Sequence, residues 1–327
     1  MSRTLSVHAE SWPLAQTFTI SRGSKDAADV VRVELVEGSV RGQGECVPYA
    51  RYGESVEGVV AVIEGLRDPL CAGMGRAELA SALPAGAARN AVDCALWDLE
   101  AKRSGRPVWE LAGLPRPEPV TTAYTLSLGS VEQTAAEAEK NAHRTLLKLK
   151  LGGGDVPETL AAVRRAAPGV RLIIDANEAW TVAQLLEWAP ALARAQVELI
   201  EQPLPAGKDA ELEGLRCGVP LGADESCHTS ETIDQLARSY DVVNITLDKT
   251  GGLTEAIAMH RAARAAKLEI MVGCMVATSL AMAPATLLTA GARFVDLDGP
   301  LLLARDRPGG LEFVDDRLQP PVADFWG

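Results

Sequence analysis

Ionisable residues recur at the ends of successive short apolar runs, and their spacing is regular. The residues and their surroundings are Lys148 and Lys150 in LLKLKL, Asp175 in LIIDAN, Glu201 in ELIEQP, Asp224 in LGADES and Lys249 in ITLDKTGG. From Lys148 onward, one such group follows another after 23 to 27 residues, the length of one strand–helix unit. Charges placed behind apolar runs are costly to bury unless they are paired or bind a metal. Their repetition in register therefore indicates an active site.

Three of these residues are carboxylic acids on consecutive units, Asp175, Glu201 and Asp224. Together they offer three hard oxygen ligands to one ion, and the set itself contains no His or Cys. Such a donor set favours Mg²⁺ over zinc, with water or substrate oxygens completing six positions. Any one of these acids alone would more often be a strand-end cap or a salt-bridge partner, so the metal prediction depends on all three.

The lysines stand on both sides of the acids along the chain. Lys148 and Lys150 are two residues apart, so strand alternation points both to one face. Lys249 belongs to the sixth unit, which lies across a closed barrel from the second. A lysine has a reference pKa of about 10.4, and a nearby cation is expected to lower it toward the range of a useful base. Two bases on opposite sides of a carbon can remove a proton from one face and return it to the other, which inverts the configuration.

Short apolar runs alternate with alanine-rich helical segments from about residue 120 onward. The apolar runs span residues 120–128, 145–151, 170–175, 196–201, 219–223, 241–247, 269–274 and 293–297, and the clearest helical segments span 131–142, 156–167, 181–194 and 253–267. Eight strands and seven helices in this alternation predict an α/β fold with a (β/α)7β barrel, a modified TIM barrel. Active sites of such barrels lie at the carboxyl ends of the strands, where the charged residues fall.

The first part of the chain has the pattern of a small α+β unit. Residues 30–35 and 39–45 flank Glu37-Gly38 as the strands of a hairpin would. Helical spacing follows over residues 56–66 and again over 88–99, the second helix stopping near Gly105. Prolines interrupt the stretch after residue 299. We expect an α+β capping domain over residues 1–118, a barrel over 119–298, and a segment over 299–327 that returns to the capping domain.

Composition limits the classes of partner and the compartment. The 327 residues are 47% apolar, and the net charge of −12 predicts a surface that repels nucleic acid and anionic lipid. The six cysteines form no C-x-x-C pair and no apolar leader precedes them, so free thiols in the cytoplasm are expected. Residues 270–292 carry no charge, but their small residues and Pro284 favour a buried strand and helix over a membrane span. The oligomeric state is left open, a homo-oligomer included.

The set of motifs K-x-K, D-A-N, E-Q-P, A-D-E-S and D-K-x-G-G resembles the enolase superfamily in its muconate-lactonizing subgroup. Enolase-superfamily sites are known to pair a Lys or His base with Mg²⁺ that stabilises an enediolate. The resemblance implies that Lys150 and Lys249 are the two acid–base residues, and that Lys148 tunes Lys150 or helps position the substrate carboxylate.

Narrower features resemble the dipeptide epimerases of that subgroup. Residues 294–300 read FVDLDGP and resemble the group's D-x-D motif, which implies that Asp296 and Asp298 hold the free ammonium of a dipeptide. Arg22, in ISRGS, matches an arginine that pairs with a distal substrate carboxylate, as a planar guanidinium can. Thr125 matches a threonine near the substrate. The expected substrate is thus a small dipeptide, L-Ala-D/L-Glu first, with a role in recycling of cell-wall peptides.

Two other hypotheses stay open at this point. A cycloisomerase or an o-succinylbenzoate synthase-type lyase would keep the barrel and the metal, but its substrate would give Asp296 and Asp298 no ammonium to bind. A binding or structural protein could keep an inactive barrel, although every metal and lysine position retains its chemistry. Epimerisation of another dipeptide is a further alternative within the same reaction class.

Overall fold

A three-stranded antiparallel sheet carries the first part of the chain in the computed structural model, which describes residues 3–327. Its strands are β1 (Arg3–Ile20), β2 (Gly23–Glu37) and β3 (Val40–Cys46), in that order across the sheet. The hairpin expected around residue 38 is confirmed as β2 and β3. The long first strand was not predicted, because its burial does not alternate regularly along its length.

Five helices follow this sheet, and the longest packs across it. They are α1 (Val56–Gly65), α2 (Arg67–Cys71), α3 (Arg76–Ala82), α4 (Ala87–Ser104) and α5 (Val108–Leu111). Helix α4 ends at Gly105, whose φ of 69° is in the left-handed region that ends helices. Its close approach to β3 depends on Gly42 and Gly44, because a Cβ at either position would overlap the backbone of α4.

Eight parallel strands form the second part of the chain, as the apolar runs predicted. They are β5 (Tyr124–Leu126), β6 (Leu146–Lys150), β7 (Arg171–Asp175), β8 (Val197–Glu201), β9 (Leu221–Ala223), β10 (Val242–Ile245), β11 (Glu269–Val272) and β12 (Phe294–Val295), which pair in chain order. A short strand β4 (Val120–Thr121) precedes them. The backbone N–H of Ala123 donates to the carbonyl of Val295 at 2.8 Å, so the first and last strands meet and the sheet closes.

The helices outside the barrel match most of the expected ones. They are α6 (Val131–Lys140), α7 (Val156–Ala166), α8 (Val182–Arg194), α9 (Ile233–Leu236), α10 (Leu247–Thr250), α11 (Leu253–Ala265) and α12 (Ser279–Ala285). Between β8 and β9 there is a short 3₁₀ turn, Asp209–Leu212, in place of an α-helix. The uncharged stretch over residues 270–292 forms β11 and the buried α12, and no helix within residues 3–327 is long and apolar enough to cross a bilayer.

The barrel has an apolar floor beneath its charged end. A cluster of buried side chains fills the interior at the amino-terminal side, and its members are Ala123, Leu146, Ile173, Leu199, Val242, Met271 and Phe294. Each stands two residues before a position at the opposite, carboxyl end, as Leu146 stands before Lys148 and Ile173 before Asp175. Because side chains two apart on a strand share a face, the inward face changes from apolar to polar within one step. The chemistry is thereby confined to one end of the barrel.

The last residues of the chain pack on the first domain. Two short strands, β13 (Phe313–Val314) and β14 (Arg317–Leu318), form a small antiparallel sheet with β4. The buried Trp326 donates its indole N–H to the carbonyl of Gln43 at 3.0 Å, and the Gly327 N–H donates to Asp98 at 2.8 Å. The segment thus joins β3 and α4. The domain limits at residues 118 and 298 stay a prediction.

Replacing Gly44 by alanine tests the contact between β3 and α4. The new methyl would overlap the carbonyl oxygen of Ala91 and lie 2.8 Å from the nitrogen of Ala95. We expect the free energy of unfolding to fall by roughly 1–3 kcal/mol, as overpacking does, measured by urea and thermal unfolding. The matched control is Gly65→Ala, where no atom lies within 4 Å of the added methyl. Equal stabilities of the two variants would contradict the packing argument.

Candidate active site

The register of neighbouring strands brings the three acids together. Asp175 pairs with Lys150 on one side and with Glu201 on the other, and Glu201 pairs with Gly222 of β9. Asp224 follows β9 directly. Asp175 and Glu201 are each 1% exposed. Three carboxylates therefore lie at the ends of three adjacent strands, as the spacing predicted.

Lys148 and Lys150 lie against these acids on β6. The Lys148 ammonium is 2.7 Å from Glu201 Oε2, 3.3 Å from Asp175 Oδ2 and 2.7 Å from Asp296 Oδ2. The Lys150 ammonium donates to Asp175 Oδ2 at 2.5 Å. Both side chains therefore point to one face of the strand and into the barrel, as alternation requires.

Lys249 approaches from the opposite wall but is not at a strand end. Strand β10 stops at Ile245, and the chain turns into the short helix α10, which carries Lys249. Its ammonium donates to the carbonyls of Asp224 at 2.8 Å and Asn244 at 3.0 Å, and it is paired with the Asp224 carboxylate. Strand alternation ends at Ile245, and the next residue, Thr246, lines the cavity.

The position of α10 places the two lysine groups across the barrel from each other. Strands β7, β8 and β9 separate β6 from β10 in the closed order of eight. The three acids lie at the ends of those three intervening strands. The site is therefore a row of carboxylates with an amine at each end.

Burial and mutual repulsion shape the charge state of the acids. Burial, together with the neighbouring Asp175 carboxylate, raises the pKa of Glu201 to about 8. Burial acts in the same sense on Asp175, but the Lys150 and Lys148 ammonium groups outweigh it and hold its pKa well below its usual range. The acids therefore compete for the positive charge that the lysines supply.

The pKa values of the lysines are raised rather than lowered. Burial would lower the pKa of Lys148, but the carboxylates of Asp296, Glu201 and Asp175 raise it well above its usual value. Burial would also lower the pKa values of Lys150 and Lys249. The Asp175 carboxylate raises the pKa of Lys150, and the Asp224 carboxylate raises the pKa of Lys249. The cause is that each ammonium lies directly against carboxylates. The lowering expected beside a metal ion stays a prediction.

The donor atoms fit a hard divalent cation. Glu201 Oε2 is buried and accepts no hydrogen bond, although the Lys148 ammonium lies close to it. As the side chains lie, no three His, Cys, Asp or Glu residues within residues 3–327 form a ready-made metal-binding group. The reason is that ammonium groups stand between the acids. A divalent ion would take over this charge compensation once the ammonium groups moved away.

Asp296 and Asp298 form a second acidic pair next to Lys148. Asp298 accepts the backbone N–H of Thr125 at 2.6 Å, and the Thr125 hydroxyl donates to Asp296 at 3.5 Å. Burial, together with the Asp296 carboxylate, raises the pKa of Asp298 to about 7. A cation placed beside this pair would therefore be stabilised.

Arg22 lies at the turn between β1 and β2 and is paired with the protein's own acids. One guanidinium nitrogen, Nη2, lies 2.8 Å from Glu225 Oε1 and donates to the Tyr49 hydroxyl at 3.0 Å. The other, Nη1, donates to Glu178 Oε2 at 3.2 Å and to the carbonyl of Asn177 at 3.1 Å. Arg22 thus faces the cavity, with its charge already compensated.

A single cavity of about 510 Å³ collects nearly all of the predicted residues. Its walls include Arg22, Thr125, Lys148, Lys150, Asp175, Glu201, Asp224, Asp296 and Asp298. Lys249 reaches the cavity through Asp224, which its ammonium contacts. The capping-domain hairpin and the open end of the barrel enclose this space together.

Three cavity residues were missed by the sequence analysis. Asn244 on β10 donates its amide to Glu201 Oε1 at 2.6 Å, and its place two residues after the floor residue Val242 was a usable signal. Glu225, 3% exposed, holds Arg22, and its position next to Asp224 was the only hint. Lys25 on β2 also lines the cavity, and nothing in its local sequence distinguishes it from a surface lysine.

Both parts of the chain match known families. Residues 2–113 match the mandelate racemase / muconate lactonizing enzyme N-terminal domain, and residues 131–322 match the enolase C-terminal domain-like family. The two matches agree with the barrel and with the capping domain that covers its carboxyl end.

Individual relatives are similar over nearly the whole chain. L-Ala-D/L-Glu epimerase of Escherichia coli (strain K12) is 46% identical over 97% of this chain and 99% of its own length. N-acetyl-D-glutamate racemase of a Pseudoalteromonas species is 43% identical over 91% and 95%.

Solved structures show the same fold with ligands in place. An enolase family member from Agrobacterium tumefaciens with homology to dipeptide epimerases, crystallised with sodium and L-Ala-L-Glu, has a TM-score of 0.97 and 51% identity, covering 99% of this chain and 100% of that one. A dipeptide epimerase from Cytophaga hutchinsonii with Mg and D-Ala-L-Val has a TM-score of 0.91 and 27% identity, covering 98% and 94%. The chain therefore belongs to the mandelate racemase / muconate lactonizing enzyme family of the enolase superfamily, within its group of epimerases and racemases.

Proposed function

We propose that this protein epimerises a dipeptide at the α-carbon of its C-terminal residue, with L-Ala-D/L-Glu as the preferred substrate. The observation that carries the proposal is the row of three carboxylates on adjacent strands, Asp175 and Glu201 buried and Asp224 partly so, with Lys150 at one end and Lys249 at the other. A carbon held over the acids would have one lysine on each face. Inversion by removing a proton from one face and returning it to the other requires this arrangement.

Asp175, Glu201 and Asp224 are the residues that would hold Mg²⁺. The bound ion supplies positive charge beside the substrate carboxylate and so stabilises the negative charge that develops when the α-proton leaves. Carboxylate oxygens are the ligands that this ion prefers, and one of them is Glu201 Oε2, which now contacts the Lys148 ammonium at 2.7 Å. Relatives crystallised with Mg and dipeptides support the same choice of ion.

Lys150 and Lys249 are proposed as the acid–base pair. The neutral amine of one takes the α-proton, the electrons move into the substrate carboxylate as an enediolate, and the ammonium of the other protonates the opposite face. Lys148 lies within reach of Glu201, Asp175 and Asp296. From that position its charge favours the neutral form of Lys150, which shares its strand, and attracts the substrate carboxylate.

The remaining charges of the cavity suit the two ends of an acidic dipeptide. Asp296 and Asp298 provide negative charge for the free ammonium, and Thr125 fixes the Asp298 carboxylate through its backbone N–H. Arg22 and Lys25 of the capping hairpin also line the cavity. The distal carboxylate of a glutamate residue would pair with the Arg22 guanidinium in place of one of its present partners, Glu178 and Glu225.

An N-acylamino-acid racemase is the second candidate, because one relative at 43% identity is named N-acetyl-D-glutamate racemase. Its chemistry at the α-carbon would be the same, but its substrate has no ammonium. The substrate of a cycloisomerase or lyase also has no ammonium. The Asp296–Asp298 pair favours the dipeptide, since two neighbouring buried carboxylates are costly and the Lys148 ammonium that contacts Asp296 is shared with Glu201 and Asp175.

Deuterium exchange tests the reaction directly. With Mg²⁺ and L-Ala-L-Glu in D₂O, we expect deuterium to enter the glutamate α-position and the L-Ala-D-Glu epimer to appear, both followed by proton NMR and chiral chromatography. Removal of divalent ions by EDTA should abolish both signals. Lys249→Met should stop epimerisation, whereas Lys140→Met, on the outer face of α6 and 67% exposed, should not. Absence of α-exchange in the wild type would contradict the proposed substrate.

Asp298→Asn separates the dipeptide from substrates without an ammonium. The amide oxygen can still accept from the Thr125 N–H, so the local fold should survive. We expect kcat/KM for L-Ala-L-Glu to fall by roughly 10- to 100-fold, the loss of a charge-assisted hydrogen bond, while kcat/KM for N-acetyl-glutamate changes far less. An unchanged value for the dipeptide would favour the second candidate.

Arg22→Met tests whether the cavity prefers an acidic side chain. We expect kcat/KM for L-Ala-L-Glu to fall by roughly 10- to 100-fold, and that for the neutral L-Ala-L-Gln to fall much less. The ratio between the two substrates is the measurement, so a general disturbance caused by releasing Glu225 cancels. An unchanged ratio would remove Arg22 from the specificity site.

A further inference from the structure

The segment that carries Lys249 has little structure of its own. Helix α10 is a single turn of four residues, closed by bonds such as Gly251 N–H to the Leu247 carbonyl at 2.9 Å. One isolated turn is unstable, because nucleation fixes several dihedral angles for few hydrogen bonds. Contacts from outside the turn must therefore hold Lys249 in place.

Those contacts come from the capping domain through Asp248, the residue before Lys249. The Asp248 carboxylate is buried, and its Oδ1 accepts the backbone N–H of Val47 at 2.9 Å and the Asn90 side-chain amide at 2.8 Å. Asn90 is 1% exposed and lies on α4, while Val47 follows β3. Both donors therefore belong to the first domain, although the acceptor belongs to the barrel.

Arg89, the neighbour of Asn90 on α4, holds the far end of the same turn. Its Nη2 donates to the Thr250 carbonyl at 2.6 Å and its Nε to the Gly251 carbonyl at 3.1 Å. A Cβ at Gly251 would overlap the Arg89 guanidinium, and one at Gly252 would overlap the carboxylate of Asp93. Because Gly251 and Gly252 have no side chains, the side chains of α4 can pack directly against the turn.

One further residue of α4 continues the contact into the next helix. Asp93 accepts the backbone N–H of Thr254 at 2.9 Å, in the first turn of α11, and its other oxygen accepts the Thr254 hydroxyl at 2.5 Å. Residues 89, 90 and 93 lie on one face of α4, since positions three and four apart are neighbours on a helix. One helix face therefore holds the whole connection from α10 to α11.

Lys150 is held in a different way. Its strand β6 is bonded in register to β5 and β7, both of the barrel, with Lys148 opposite Thr125 and Lys150 opposite Asp175. The ammonium of Lys249 contacts Asp224 and Asn244 of the barrel, but the turn that carries it is held from α4. The backbone of Lys150, in contrast, is held within the barrel sheet.

We propose that Asn90 and Arg89 are positioning residues for Lys249, so that the capping domain sets the geometry of one acid–base group and not of the other. The inference rests on the proposed function. Loss of either residue leaves Lys150 able to take an α-proton and displaces Lys249. Proton transfer by Lys249 then slows while that by Lys150 continues, since a misplacement of about 1 Å can cost about 100-fold in rate.

The test measures α-hydrogen exchange and epimerisation separately for L-Ala-L-Glu and L-Ala-D-Glu in D₂O, with Asn90→Leu and Arg89→Met. Exchange needs only the lysine that removes the proton, whereas epimerisation needs both. We expect exchange of one diastereomer to stay within about threefold of the wild type, and exchange of the other and epimerisation to fall tenfold or more. Lys249→Met should retain exchange with the same diastereomer.

The controls separate positioning from general damage. Asn141→Leu removes a partly buried amide at the end of α6, far along the chain from α10, and should leave each exchange rate at its wild-type value. Parallel loss of both exchange rates in the Asn90 and Arg89 variants, or no loss in either, would overturn the inference. If these variants do not fold by circular dichroism, Arg89→Lys, which retains one cationic donor, should show the same split at smaller size. Wild-type protein that exchanges neither dipeptide would instead refute the proposed function.

Discussion

The compensation of buried negative charge is the constraint on which the rest of the structure depends. Asp175, Glu201 and Asp296 are almost wholly buried at one end of the barrel, and the Lys148 ammonium contacts all three. Such a cluster is stable only with positive charge between its members. The lysines supply that charge when they are protonated, and a divalent ion would supply it while leaving them free to move protons. The same electrostatic demand thus links the fold, the choice of metal and the proposed chemistry.

Much of the barrel was predictable because it is periodic. Every apolar run corresponds to a strand, and the inward positions repeat every second residue, apolar first and polar next, as with Leu199 and Glu201. The predictions that failed concern short segments whose structure is decided by contacts with residues distant in sequence. The run before Lys249 has the apolar texture of one continuous strand, yet the chain turns into α10, where α4 supplies hydrogen bonds that no local pattern contains. Strand β1 was missed for a related reason, since its irregular burial reflects the elements packed around it.

The candidate site divides in the same way. The acids and lysines of the barrel were found from spacing, because strand order converts regular spacing into proximity. The contributions of the capping domain were harder. Arg22 was expected to pair with a substrate carboxylate. That it lies against Glu225 could not be predicted, because a pairing over this separation in sequence has no local signature. Lys25 enters the cavity only because the hairpin of β1 and β2 lies over the barrel.

The apolar floor of the barrel determines the route by which substrate and product enter and leave. Seven packed side chains, from Ala123 to Phe294, seal the interior at its amino-terminal end. Within the described residues 3–327, substrate and product therefore use the same opening of the cavity, beneath the hairpin that carries Arg22. The cavity is closed at its inner end, so it has no second exit through the barrel. Substrate and product therefore share one route, which passes the Arg22 guanidinium in both directions.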